Sequence, residues 1–203
     1  MIVIVNYGLG NLGSVLNMFK RIGAPAKITS DPREISEAQK ILLPGVGAFD
    51  VAMKRIHEAG LFQVLNILAL EKKIPILGIC LGMQLLTDNS EEGGMEGFHW
   101  IPGKTTKFTF PDGSPLKIPH MGWNEVKEKN PSPLTAGLPK PSRFYFVHSY
   151  YVKVADPAHS IMTTSYGLEF DSVIRSGNIF GAQFHPEKSH RFGMQLLSNF
   201  AGI

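Results

Sequence analysis

The amino-acid sequence predicts an α/β fold: a mixed, largely parallel open sheet flanked by helices, with an antiparallel extension toward the carboxyl end. Three observations carry that expectation. The apolar runs Ile2–Val5, Ile41–Leu43 and Ile74–Ile79 suit strands covered on both faces. Between them, apolar residues recur at helical spacing. Beyond Asp88 the texture changes to short β-like segments punctuated by prolines from Pro102 to Pro157.

Taken in order, Ile2–Val5 is the first strand and 6–11 a loop. Leu12, Val15, Leu16, Phe19 and Ile22 line one helical face, with Asn11 placed to cap it and Gly23 to end it. The glycines of Gly8-Leu9-Gly10-Asn11-Leu12-Gly13 are not read as a dinucleotide cradle, because no acidic residue closes the next strand. Lys27–Thr29 and Lys40–Leu43 are further strands, and Asp31-Pro32 opens a brief helix between them. Pro44-Gly45-Val46-Gly47 is a loop whose amides can approach a ligand closely. A helix carrying Phe49, Met53 and Ile56 runs to Gly60, and a second spans Leu61 to Lys72. Phe144–Tyr151, the most aromatic stretch, reads as a central strand. Ser172–Arg175 and Ile179–Phe184 form a hairpin around Ser176-Gly177-Asn178, and a last amphipathic helix from about Ser189 buries Met194, Leu197 and Phe200.

The 203 residues fit a single domain over 1–203, with 43% hydrophobic and 18% charged residues. A net charge of +3 without any cationic block points away from nucleic acid. One cysteine closes no internal disulfide and builds no cysteine-rich zinc site, so a cytoplasmic chain without metal or cofactor is expected. The apolar start is too short for a signal peptide, and no stretch approaches a membrane span.

The chemistry gathers around Ile76-Leu77-Gly78-Ile79-Cys80-Leu81-Gly82-Met83-Gln84, where an apolar strand runs through Gly-x-Cys-x-Gly into a helical pattern. A strand-to-helix turn sharp enough to lift one side chain above a sheet needs small residues two before and two after it. Cys80 is then the exposed nucleophile, and the start of the following helix favours its thiolate. A thiolate needs a base, and seven histidines compete. His185 stands out, because in His185-Pro186-Glu187 an extended backbone points both side chains the same way, and the carboxylate can orient the imidazole. His120 and His148 remain alternatives, since sequence supplies no distances.

Gly78 to Gln84 together with His185-Pro186-Glu187 resembles the class I glutamine amidotransferases. Four further stretches, Asn6–Leu12, Pro119–Asn124, Tyr145–Tyr150 and His185–Ser189, resemble within that family the glutaminase subunits of imidazole glycerol phosphate synthases. The resemblance implies a flavodoxin-like amidotransferase fold and hydrolysis of L-glutamine to glutamate and ammonia through a cysteinyl thioester. It gives Cys80 the attack, His185 the proton transfers and Glu187 the holding of His185. The oxyanion hole would come from backbone N–H groups of Leu81 and the Gly45-Val46 region. Gln84, His148, Ser149 and Tyr150 would grip the amino-acid end of glutamine. The resemblance also implies a heterodimer with a (β/α)8-barrel cyclase that uses the ammonia in histidine biosynthesis, with Asn11, Trp123, Tyr145 and Lys188 at the interface. A related subunit feeding another acceptor, such as a cell-surface sugar, and a stand-alone cysteine hydrolase stay open. The Gly45-Val46 peptide plane, free to turn either way, is expected to gate the oxyanion hole, with the Val46 N–H turned away from Cys80 in the lone chain.

Overall fold

In the computed structural model, which describes residues 1–203, the amino-terminal half alternates strand and helix. Strand β1 (Ile2–Val5) leads through α1 (Leu12–Arg21), β2 (Ala26–Thr29), α2 (Pro32–Ser36), β3 (Lys40–Gly45), α3 (Phe49–Glu58) and α4 (Leu61–Asn66) to β4 (Ile76–Cys80) and α5 (Leu81–Leu85). A run of strands follows: β5 (Asn89–Ser90), β6 (Gly103–Lys107), β7 (His120–Glu128), β8 (Ser142–His148), β9 (Tyr150–Val154), β10 (Ser160–Tyr166), β11 (Leu168–Ser176) and β12 (Ile179–Ala182). Helix α6 (His190–Gly202) ends the chain.

The strands β2-β1-β3-β4-β12 pair in parallel, and the sheet continues antiparallel through β11-β10-β7-β8. β6 and β9 join it through β11. Because β1 pairs with β2 on one side and β3 on the other, the winding reverses there, and the carboxyl ends of β1 and β3 flank a crevice of the kind where open α/β sheets hold ligands. Alternation along β1 divides the core. Ile2 and Ile4 pack with Val15, Phe19, Leu196 and Phe200 on one face, while Val3 and Val5 pack with Phe49, Met53, Ile56 and Leu65 on the other. No helix is long and apolar enough to cross a membrane.

Several expectations are corrected. The aromatic stretch 144–151 is no central strand: it breaks at Ser149 into β8 and β9, and β8 lies at an end of the sheet with β7 as its one partner. Its aromatic content reflects packing of alternate residues, with Phe144 and Phe146 fully buried and Tyr145 half-exposed. Asn11 precedes α1 but makes no side-chain cap. The helix from Leu61 becomes a π-turn over Ile67–Glu71, where the Lys72 amide reaches back to Ile67 O. Pro44 and Gly45 belong to β3, so the loop after it is shorter than the sequence suggests. In α6 Met194 is half-buried, and Phe192 and Leu196 join Leu197 and Phe200 in the core. The hairpin stands, with Ser176 opposite Ile179.

Candidate active site

Cys80 is the last residue of β4 and takes φ 54° and ψ −110°. A non-glycine residue holds such a backbone only where its surroundings impose it. The imposition comes from close approach. A Cβ on Gly82 would strike the Leu43 carbonyl, and one on Gly78 would strike the carbonyl of Gly82, so both flanking positions must be glycine for the turn to close. Since α5 begins at Leu81, Cys80 stands at its N-cap position, next to a helix start whose first N–H groups have no partner within the helix.

Parallel pairing of β12 with β4 sets Ala182 beside Ile79, so the chain leaving β12 passes the elbow. The backbone of His185 is fixed from β8: its N–H donates to Tyr145 O at 2.9 Å, and its carbonyl accepts from Ser189 Oγ at 2.6 Å. His185 Nδ1–H donates to Glu187 Oε1 at 2.8 Å, with both side chains buried. The buried Nε2 atom has no hydrogen-bond partner, and Cys80 is near enough to the ring to act on its titration. Burial opposes charge on this imidazole, but Cys80 and Glu187 outweigh it and raise the His185 pKa from 6.5 to about 10. Cys80, His185 and Glu187, the three residues that the sequence singles out, are therefore brought together.

His120 and His148 are not competing bases. Neither faces a carboxylate; their rings bond to each other, Nδ1 of His120 to Nε2 of His148 at 3.0 Å, and burial lowers their pKa values to about 4 and about 3.

A cleft of about 500 Å³ opens at Cys80. Its walls include Val46, Leu81, Gln84, His148, Ser149 and Tyr150, so seven expected site residues, counting Cys80, share one cavity. Gly45 lies behind the wall, opposite Cys80 in the β3–β4 register. Two wall or support residues escape the sequence reading. Glu92 lines the cleft and accepts the Phe49 N–H at 2.9 Å, tying the acidic 90–97 loop to the first turn of α3. Buried Gln183 donates toward Cys80 Sγ at 3.8 Å and accepts from Gln84 Nε2 at 3.3 Å. A polar amide inside the apolar run Ile179–Phe184 was the signal for it. No group of three or more His, Cys, Asp or Glu side chains is placed to hold a metal ion.

The family model for glutamine amidotransferase class-I matches residues 3–202. The imidazole glycerol phosphate synthase subunit HisH 2 of Methanococcus maripaludis is 52% identical over 200 residues, covering 98% of each chain. The subunit of the same name from Pseudomonas aeruginosa is 47% identical over 203 residues, covering 100% of both. This chain belongs to the HisH family of class-I glutamine amidotransferases. HisH-family membership fits the fold seen in the PurLQS structure from Thermotoga maritima, which superposes with a TM-score of 0.72 at 18% identity, covering 99% of this chain and 97% of that one.

On this HisH-family chain, three of the four expected interface residues form one patch. Trp123 is 40% exposed, meets Tyr145 edge-on at 6.3 Å and stacks on His190 at 5.5 Å. Lys188 Nζ lies 5.6 Å over the Tyr145 ring. Asn11 is exposed just before α1, a helix that packs against the 186–188 turn.

Proposed function

We propose that this chain is a glutaminase subunit, one amidotransferase domain over residues 1–203, that hydrolyses L-glutamine and passes the ammonia to a (β/α)8-barrel cyclase partner in the cytoplasm. The relatives' full-length identity and their name support its place in imidazole glycerol phosphate synthase, hence in histidine biosynthesis. The observation that carries the reading is the strained Cys80 elbow facing a buried His185–Glu187 pair.

In this reading the Cys80 thiolate attacks the side-chain amide carbon of glutamine, and the carbonyl electrons move onto oxygen. Backbone N–H groups of Leu81 and Val46 receive that oxyanion. The His185 imidazolium gives its Nε2 proton to the amide nitrogen, the C–N bond breaks and ammonia leaves, with the carbonyl restored as a thioester. Water then attacks the thioester while His185 Nε2 takes its proton, and the second tetrahedral species expels the Cys80 thiolate and glutamate. Glu187 holds the imidazole throughout. The Glu92 carboxylate on the cleft wall suits the α-ammonium of the substrate, and Gln84, whose Oε1 accepts no bond within the chain, offers that group a second acceptor.

The test is Cys80→Ala in the synthase complex. Synthesis driven by glutamine should vanish while synthesis driven by added ammonia persists, since the thiolate serves only to release nitrogen. Appreciable glutaminase activity in that variant would remove Cys80 from the role.

A further inference from the structure

The carbonyl of Tyr150 on the cleft wall accepts two side-chain donors, His148 Nδ1 at 2.6 Å and Gln84 Nε2 at 3.2 Å. Behind His148 the polar contacts continue. Its Nε2 lies 3.0 Å from His120 Nδ1, and His120 Nε2 lies 3.2 Å from Asn124 Nδ2. Asn124 is fixed in turn, because its Nδ2 also donates to Ser165 O at 3.0 Å while its Oδ1 accepts the Glu125 N–H at 2.8 Å. Those backbone partners decide which end of the amide is nitrogen.

The proton positions follow. An amide nitrogen can only donate, so His120 Nε2 must be the acceptor and its proton must sit on Nδ1. That proton goes to His148 Nε2, which must then be bare, and the His148 proton sits on Nδ1 and goes to Tyr150 O. Both Nδ2 hydrogens of Asn124 are used, and all four ring nitrogens are matched. Every donor points from Asn124 toward the cleft. A second proton on either ring would set two N–H groups against each other, and burial of both rings, with His120 stacked on Tyr166 at 4.0 Å and on Phe146 at 4.8 Å, favours the neutral forms further.

We propose that His120 and Asn124, neither of which lines the cleft, are positioning residues for glutamine: they dictate the tautomer and ring orientation of His148, and through it the Tyr150 carbonyl and the Gln84 amide. The proposal rests on the reading of the cleft as the glutamine site. Tyr150 O is a shared acceptor, so a His148 ring that turned or changed tautomer would drop one of its two donors and free the 149–150 backbone that borders the substrate.

Three variants of the full chain, assayed with the cyclase partner, test it. His120→Asn places an amide nitrogen near the position of Nδ1 and keeps the donor to His148. His120→Leu removes it. Asn124→Asp turns the donor into an acceptor, so His120 protonates Nε2; with its ring held neutral by burial, Nδ1 is bared and His148 must carry its proton on Nε2, whereas a doubly protonated His120 would show itself in its own nitrogen-15 shifts. Nitrogen-15 shifts of the histidine rings read the tautomer directly. We expect His148 to be protonated on Nδ1 in the wild type and in His120→Asn, mixed in His120→Leu, and protonated on Nε2 in Asn124→Asp. KM for glutamine should rise about three- to tenfold in the last two, with kcat changed less and His120→Asn near wild type, the loss expected for one misplaced hydrogen bond. A His148 tautomer or a KM unmoved in folded His120→Leu and Asn124→Asp overturns the proposal, as does a KM raised equally in His120→Asn. A wild-type complex that fails to turn over glutamine would instead refute the glutaminase reading, and the ring shifts would still judge the relay.

Discussion

The Tyr7 hydroxyl donates a 2.6 Å hydrogen bond to the carbonyl oxygen of Pro44, so the loop after β1 holds the last peptide planes of β3. Tyr7 is buried against Gly45, where a Cβ would collide with its hydroxyl oxygen. Burial, reinforced by the charge of Cys80, raises its pKa above the ordinary 10, so it remains a donor at any working pH. Tyr7→Phe leaves Pro44 O unpaired in the core. A loss of about 1 to 3 kcal/mol is expected in chemical denaturation, together with altered glutaminase turnover. Unchanged stability and turnover would show that the bond has no part in shaping the site.

His185 and Glu187 should separate in kinetics. Removing the proton carrier in His185→Ala costs the general acid–base contribution, about 10² to 10⁴ in kcat. Glu187→Gln keeps a side chain beside Nδ1 but no longer secures the tautomer, and the smaller loss is expected there. Equal losses in steady-state assays would mean that the carboxylate participates more directly.

The buried histidines set opposite pH limits on stability. His185, raised from 6.5 to about 10, contributes stability that is complete below 6.5 and is lost as pH rises toward 10. His148 and His120 are lowered from 6.5 to about 3 and about 4, so the unfolded chain takes up their protons first and stability falls as pH drops below 6.5. Each group titrating between its two pKa values contributes a slope of at most ~1.4 kcal/mol per pH unit. Denaturation between pH 6.5 and 4 should therefore show a shallower pH dependence in His120→Asn than in the wild type. Identical slopes would mean that His120 is not held neutral by the fold.

Much of the site was legible because its signals are local. Gly78 and Gly82 around Cys80, and the carboxylate two residues from His185, report turn and orientation within a few positions of chain. The parallel strands were legible for the same reason, as continuous apolar runs. What stayed hidden depends on strands brought together from afar. The bond between His120 and His148 spans 28 residues, and that from Gln183 to Cys80 spans 103. Their roles follow from β7 pairing with β8 and β12 with β4, which no spacing announces. Phe144–Tyr151 misled for a related reason: aromatic content reports burial of one face, and β8 buries alternate residues from the end of the sheet.

Lys188 follows Glu187 directly, yet its charge faces outward over Tyr145, beside Trp123. Lys188→Glu replaces a cation–π contact by a carboxylate over the ring face. The contact at such an exposed site is worth about 0.5 to 1 kcal/mol, so folding should change little. Affinity for the cyclase, by titration calorimetry, and stimulation of glutaminase by it should drop clearly more. Unchanged affinity with unchanged stimulation would take the patch out of the interface.

In the proposed glutaminase the oxyanion hole is gated at residues 45–47. Leu81 offers its N–H from the start of α5, and the second donor must come from the Gly45-Val46 plane, since Pro44 has none and its carbonyl is pinned by Tyr7. Val46 is 43% exposed on the cleft wall and Gly47 takes φ +108°, so the segment just beyond the Tyr7 clamp is open to the cleft and has a backbone that favours glycine. A plane with two orientations lets a docked cyclase raise the rate by preferring one of them. Loss of one oxyanion donor costs about 10² to 10³, which sets the expected gap between the chain alone and the complex. Gly47→Ala has space for its methyl group, with Leu9 as its nearest neighbour at 3.9 Å, but opposes that φ. It should cut partner-stimulated turnover more than basal turnover. Basal turnover by the lone chain equal to that of the complex would end the gating hypothesis.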